Sequence, residues 1–168
     1  MNIIICGAGR VGFSICNQLS KQGHSVTVID KNGSDIQKIN DTQDAKGIVG
    51  IATYPSVLEK ADAKNADMII AVTRNDETNM IVCQIAHSLF KIPRKIARIR
   101  SKEFLKPIWK GLFTKENLPI DIIISPEFEV AKSLHRKLEA PGAIDNIPFA
   151  DDLVRLLEIQ IDEKCPHS

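Results

Sequence analysis

The stretch that most restricts what this chain can become is Asn2-Ile3-Ile4-Ile5-Cys6-Gly7-Ala8-Gly9-Arg10-Val11-Gly12. A short apolar run ends in G-x-G-x-x-G and passes at once into a helical pattern, with Val11, Ile15 and Leu19 at i, i+4 and i+8. This is the strand–turn–helix signature of a dinucleotide-binding βαβ unit. In such a unit Gly7 makes the tight turn, Gly9 lets the backbone approach a pyrophosphate, and Gly12 lets helix and strand pack closely. The orphan N–H groups and the positive dipole end at the helix start attract the phosphates. Three glycines alone also mark ordinary loops, so the context matters. Ser25-Val26-Thr27-Val28-Ile29 reads as a second strand ending in Asp30, 18 residues past Gly12. That is close to the spacing of a carboxylate that binds a ribose diol.

Strands and helices alternate along the rest of the chain. Residues 34–41 suit a helix, 45–49 a short strand, and Pro55 the first turn of a helix carrying Val57, Leu58 and Ala61. Asp67–Val72 is a continuous apolar run, the pattern of a central parallel strand covered on both faces. After the polar stretch Thr73–Asn79 comes a helix with Met80, Ile81, Ile85, Leu89 and Phe90 expected inward, capped by Asn75 or Asp76. Lys95–Arg100 reads as a fifth strand, 102–113 as a short helix, Ile120–Ile124 as a sixth strand, and Pro126–Leu138 as a crossover helix. The tail Leu153–Ile161 alternates like the first strand of something further, without partners. Six strands with helical crossovers give an α/β, Rossmann-like, doubly wound parallel sheet in the order 3-2-1-4-5-6. In that order the loops Gly7–Gly12 and Thr73–Asn75 face one ligand from two sides.

With 168 residues and a net charge of +1 the chain is one domain's worth of sequence and not a general nucleic-acid binder. It has no run of 18 apolar residues, and its first residues, a four-residue apolar run without a basic flank, do not read as a signal peptide. Cys6, Cys16, Cys83 and Cys165 are widely spaced, which reads as buried thiols rather than a zinc site. Residues 94–115 carry eight Lys/Arg against Glu103 alone, a solvated face or a docking surface.

Catalytic groups are hard to find. A dehydrogenase needs an acid or base beside the nicotinamide, yet Tyr54 has Leu58 rather than lysine four residues on. His24, His87, His135 and His167 fall in a turn, two helices and the terminus. No Gly-Lys-Ser/Thr loop is present, which excludes a P-loop. The chain reads as binding a nucleotide without transforming it. An NAD-dependent oxidoreductase, or its cofactor half, stays open as the alternative, and so does an oligomerisation module that keeps only the fold.

Ile3–Gly12, Asp30 and above all Leu58-Glu59-Lys60-Ala61 through Asp67–Met80, with Ile96–Arg100 and Ile122–Glu127, resemble the RCK N-terminal domain family of TrkA-type potassium-uptake regulators. The likeness covers about residues 1–145, leaving 146–168 as a linker or the start of a smaller C-terminal lobe. The resemblance implies a cytosolic regulatory subunit, not an enzyme, peripheral on the inner face of the bacterial membrane. It implies binding of NAD(H), and in some members ATP or ADP, homo-oligomers (dimers or rings), and a TrkH-like ion-conducting partner. By position Gly7, Ala8, Gly9, Arg10 and Val11 would contact the pyrophosphate and Asp30 the adenosine ribose. Ala52 and Thr53 would lie along the adenine, Thr73 and Arg74 with Asn75 would line the other side, and Arg98 would reach a phosphate or ribose. Full-length members continue into the smaller lobe and commonly repeat the unit, so this chain reads as a fragment or a shortened protein.

Asp30 would disfavour a 2′-phosphate, so NADPH is expected to bind worse than NADH, although Lys31 softens this. Replacing Asp30 by alanine is expected to remove nucleotide binding while leaving the ligand-free melting point nearly unchanged. Control of a partner requires a nucleotide that prefers one shape of the assembly. The expected device is a change in width of the crevice, carried by helix 126–139 to a neighbouring subunit.

Overall fold

β1 (Asn2–Cys6) runs through the middle of its sheet because every residue after Asn2 is apolar and buried: Ile3 and Ile5 face one side of the sheet, Ile4 and Cys6 the other. The computed structural model describes residues 1–139, 143–149 and 153–159. By its contacts the chain divides into two compact units, Met1–Ile124 and Ser125–Ser168.

In the first unit β2 (Ser25–Asp30), β3 (Lys46–Val49), β4 (Met68–Ala71), β5 (Arg94–Arg98) and β6 (Ile122–Ile124) join β1 in an all-parallel sheet ordered β3-β2-β1-β4-β5-β6. That is the order read from the sequence. One face packs α1 (Arg10–Lys21) and α2 (Gly33–Thr42) over Ile3, Ile5, Val26, Val28, Ile70 and Val72. The other packs α3 (Pro55–Lys60) and α4 (Asp76–Ser88) over Ile4, Cys6, Ile29, Ile69, Ala71 and Ala97. Cys6 pairs in register with both Ile29 and Ala71. The three central strands therefore stop level, and the loops that follow them emerge side by side.

Several local expectations are corrected. The inward face of α4 is Asn79, Val82, Cys83 and Ala86, at i, i+3, i+4 and i+7, together with Met80; Ile81 and Leu89 are exposed. The helix expected over 102–113 shrinks to one 3₁₀ stretch, Pro107–Leu112. Pro107 removes an N–H and holds Lys106 extended (ψ 138°), so no α-helix runs through that point.

The basic stretch is not one solvated face either. Lys95 is buried, its Nζ 2.8 Å from Asp121 Oδ2 and 3.2 Å from the carbonyls of Ile92 and Pro93. Asp121 also accepts the Lys95 N–H at 2.7 Å. Partial burial works to raise the Asp121 carboxyl, but the hydrogen bonds from Lys95 and its charge outweigh this and hold it below the usual carboxylate range. A carboxyl depressed in the folded state adds stability that is present above its unfolded pKa and lost as pH falls through the folded one. Asp121→Asn, which keeps one acceptor, is therefore expected to lower stability by about 1–2 kcal/mol at pH 7. In urea melts at a series of pH values the gap from wild type should close as pH falls below about 4. A gap that stayed constant down to pH 2 would show that the pair adds nothing electrostatic.

The second unit holds α5 (Pro126–Glu139) and an antiparallel pair, β7 (Ala143–Phe149) with β8 (Val154–Ile159). The tail strand thus has a partner, which Asp145, Asn146 and Pro148 hide from a propensity reading.

Candidate nucleotide-binding site

The site is built from what leaves the level ends of β1, β2 and β4. Gly7 turns the chain with φ 113°, a left-handed conformation that favours glycine. A Cβ there would stand 3.0 Å from Val72 O and Thr73 N, so the turn lies directly against the loop after β4. Gly12, one turn into α1, sits so close beneath the loop that a Cβ would come within 1.8 Å of Gly7 O. Gly9 differs from both, because a Cβ at that position meets nothing within 4 Å. Two glycines are there for packing, and the third faces open space.

Gly9 is also the N-cap of α1, with no side-chain cap and no acidic residue in the first turn. The other two long helices of this unit are supplied differently. Asn32 caps α2 through Ser34 N–H, with Asp35 in its first turn, and Asn75 caps α4 through Thr78 N–H at 2.6 Å, with Asp76 and Glu77 following. Of these three long helices only α1 presents a first turn that its own side chains neither cap nor neutralise, in the form that suits an anion. Arg10 is exposed at its first position and Val11 half-buried at the second.

Asp30, the last residue of β2, faces the same loop. Its Oδ2 accepts Ala8 N–H at 2.7 Å and its Oδ1 accepts Asn32 N–H at 2.9 Å. The carboxylate therefore braces the glycine loop, and Ala8 directs its N–H to Asp30 instead of towards the helix mouth. Each oxygen keeps a lone pair for a sugar hydroxyl. This corrects the expectation that Asp30→Ala would leave the ligand-free protein unchanged.

Beyond β2, Gly50 N–H bonds Asp30 O at 2.8 Å and Tyr54 N–H bonds Ile51 O, which places the turn containing Ala52 and Thr53 beside the end of β2. Ala52 is buried in the core and Thr53 is half-buried. On the far side Thr73 and the exposed Arg74 follow β4. Arg98 is the half-buried last residue of β5.

The residues that sequence reasoning missed as site-builders are Asp76 and Asn79. Asn79 is fully buried. Its Oδ1 accepts Thr73 N–H at 2.9 Å and lies 2.7 Å from Thr73 Oγ, while its Nδ2 donates to Arg98 O at 2.8 Å. Asp76 Oδ2 accepts the N–H groups of Arg100 and Ser101 at 2.9 and 2.8 Å, and the Arg100 guanidinium donates to Arg74 O. One turn of α4 thus ties the loop after β4 to the end of β5. The visible signal was a polar Thr-x-x-Asp-x-x-Asn spacing; its meaning depends on strand order.

Cys6 and Cys83 play no such part, and Cys165 lies outside the described residues. Burial pushes the Cys83 thiol up to about 12, and burial, with Cys83 and Asp30 nearby, pushes Cys6 up further. Among the described residues no group of three or more His, Cys, Asp or Glu is placed to hold a metal, and no helix is long and apolar enough to cross a membrane. A groove of about 640 Å³ lies elsewhere, on the 101–118 segment, lined by Phe104, Ile108, Trp109 and Leu112.

Comparison with known proteins agrees with this geometry. The TrkA-N domain family matches residues 3–126. The chain is 43% identical over 166 residues to the Trk system potassium uptake protein TrkA of Azorhizobium caulinodans, covering 99% of this chain and 36% of that protein. It is 34% identical to the TrkA homolog of Pyrococcus abyssi, covering 98% of this chain and 71% of that one. The chain spans about a third of the length of the bacterial relatives. Among solved structures, the TrkA-N domain of inner membrane protein ybaL from Escherichia coli superposes with a TM-score of 0.70 at 16% identity, over 82% of this chain and 96% of that one. The GsuK RCK domain gives 0.66 at 26% identity, over 82% and 28%. The GsuK channel bound to NAD gives 0.66 at 18% identity, over 89% and 25%. The sheet order, the glycine loop and the family match agree: this chain belongs to the TrkA-N domain family.

Proposed function

We propose that this domain is the nucleotide-sensing part of a potassium-uptake regulator. It binds NAD(H) at the ends of β1, β2 and β4, admits ADP or ATP at the same place, and is not an enzyme. The observation that carries the reading is the pairing of an uncapped α1 mouth, open at Gly9, with a carboxylate at the end of β2. A diphosphate suits the first and an unsubstituted ribose diol the second. In this reading Gly7, Gly9, Arg10, Val11 and Gly12 form the phosphate side, Ala8 and Asp30 the brace and the sugar contact, and Ala52 and Thr53 the adenine side. Thr73, Arg74, Asn75 and Arg98 form the opposite wall. The names of the relatives and the NAD- and ADP-bound forms of GsuK support it. The regulator acts as a homo-oligomer on the cytoplasmic face of a TrkH-like conducting subunit. Its sensing part is the first compact unit, Met1–Ile124.

A thermal-shift panel tests it. NADH at about 100 times its Kd should add roughly 2.7 kcal/mol, a rise of about 5–10 °C. NADPH should give less at equal concentration. Asp30→Ala is expected to lose the nucleotide shift and also to cost the ligand-free protein about 2 kcal/mol, because Ala8 and Asn32 N–H lose a charged acceptor. A wild-type melting point unmoved by every nucleotide would refute the reading. An Asp30→Ala variant that still responded fully would refute the sugar contact.

A further inference from the structure

Thr73 borders the glycine loop, and its polarity is decided by a residue behind it. The amide of Asn79 has only one possible orientation. Thr73 N–H, a donor, lies 2.9 Å from one end, and Arg98 O, an acceptor, lies 2.8 Å from the other. The first end must be oxygen and the second nitrogen. Thr73 Oγ stands 2.7 Å from that oxygen, so its single hydrogen points inward at Asn79. Asn75 O, at 3.1 Å, is a second acceptor within the protein for the same hydrogen. Asn75 N–H approaches one lone pair of Oγ at 3.3 Å. What remains for a ligand is a lone pair, and Thr73 N–H is also engaged by Asn79. Thr73 therefore accepts a hydrogen bond on this side of the cleft and offers none.

We propose that Thr73 Oγ is an acceptor-only contact that selects a hydrogen-bond donor on the ligand, with Asn79 as the positioning residue that makes it so. The inference rests on the nucleotide reading above and names the ligand class: a dinucleotide. Phosphate oxygens are acceptors and gain nothing from an acceptor-only Thr73, so the terminal phosphate of ADP or ATP makes no bond there. The second nucleoside of a dinucleotide brings ribose hydroxyls and a carboxamide NH₂, which do. Diphosphate at α1 and sugar at Asp30 leave that second nucleoside on the side of β4.

The test is isothermal titration of NADH, ADP-ribose and ADP against wild type, Thr73→Val and Thr73→Ser. Valine keeps the shape and the backbone N–H bond to Asn79 but removes the oxygen; serine keeps the oxygen. Thr73→Val is expected to weaken NADH about tenfold and ADP less than twofold, and Thr73→Ser to keep the wild-type ratio. Thr73→Ala, which cannot overpack, serves as the second variant without the oxygen. If ADP-ribose weakens along with NADH, a ribose hydroxyl is the donor; if NADH alone weakens, the carboxamide is. An equal loss for NADH and ADP in Val and Ala would make Thr73 structural and overturn the proposal, as would no loss for either. Wild type that bound ADP but not NADH would overturn it while sparing the nucleotide site. Wild type that bound no nucleotide would end both.

Discussion

Gly12→Ala is expected to destabilise the ligand-free domain by at least about 3 kcal/mol and to lower its melting point on the order of 10 °C. The added Cβ would sit 1.8 Å from Gly7 O and 2.9 Å from Gly7 C. These are backbone atoms of a loop already held on three sides. Gly7 N–H bonds Ile29 O at 2.8 Å, Ala8 N–H bonds Asp30, and the Gly7 turn abuts Val72 and Thr73. No flexible side chain is available to give way, so either α1 lifts from the sheet or the loop leaves its place. Both destroy the proposed phosphate side. Gly9→Ala is the control, since its Cβ meets no atom within 4 Å and its backbone (φ −65°, ψ −175°) suits alanine. That variant should melt within about 0.5 kcal/mol of wild type yet lose most of its nucleotide shift. Urea melts with and without NADH separate the two. Equal stability of Gly12→Ala and wild type would mean that the helix does not rest on the loop as described.

Asn79→Ala is expected to cost about 3–4 kcal/mol, more than an average buried truncation, because it strands hydrogen-bonding groups on both sides of it. Thr73 N–H and Arg98 O are backbone groups in a part-buried place, bonded to Asn79 at 2.9 and 2.8 Å. Each group left without its partner carries a penalty of about 1–3 kcal/mol. The loss should also be local in its consequences. With the tie gone, the loop after β4 and the end of β5 separate, so NADH affinity should fall beyond what the lower stability explains. Amide exchange at Thr73 should quicken more than at Ile4 or Ile69 in the core. If Asn79→Ala melted within 1 kcal/mol of wild type, the Asn79 network would be decoration.

The order of the six strands was legible because it follows from repetition: each apolar run in this chain is separated from the next by a segment of helical spacing, and parallel crossovers admit few arrangements. The glycine loop and Asp30 were legible for the same reason, being local chemistry at fixed offsets within one βαβ unit. What failed were readings that treated a segment as though its neighbours did not matter. Ile81 and Leu89 looked inward because they are apolar, but the face of α4 that meets β4 and β5 holds Asn79, Val82, Cys83 and Ala86. Lys95 looked solvated because it lies in a basic run, but β5 register places it against Asp121, 26 residues away in the chain.

The sequence by itself determined that a glycine loop opens the first helix and that an acid closes the second strand. Only the tertiary structure decided that Asp30 also braces the loop, and that Asn79 settles which way the Thr73 hydroxyl points. The physical reason is the range of the interactions. Turn geometry, helix start and apolar period act between residues a few positions apart and are written in order along the chain. The hydrogen bonds Asp30–Ala8 and Asn79–Arg98 join atoms 22 and 19 residues apart, and exist only once the sheet has brought the strand ends together.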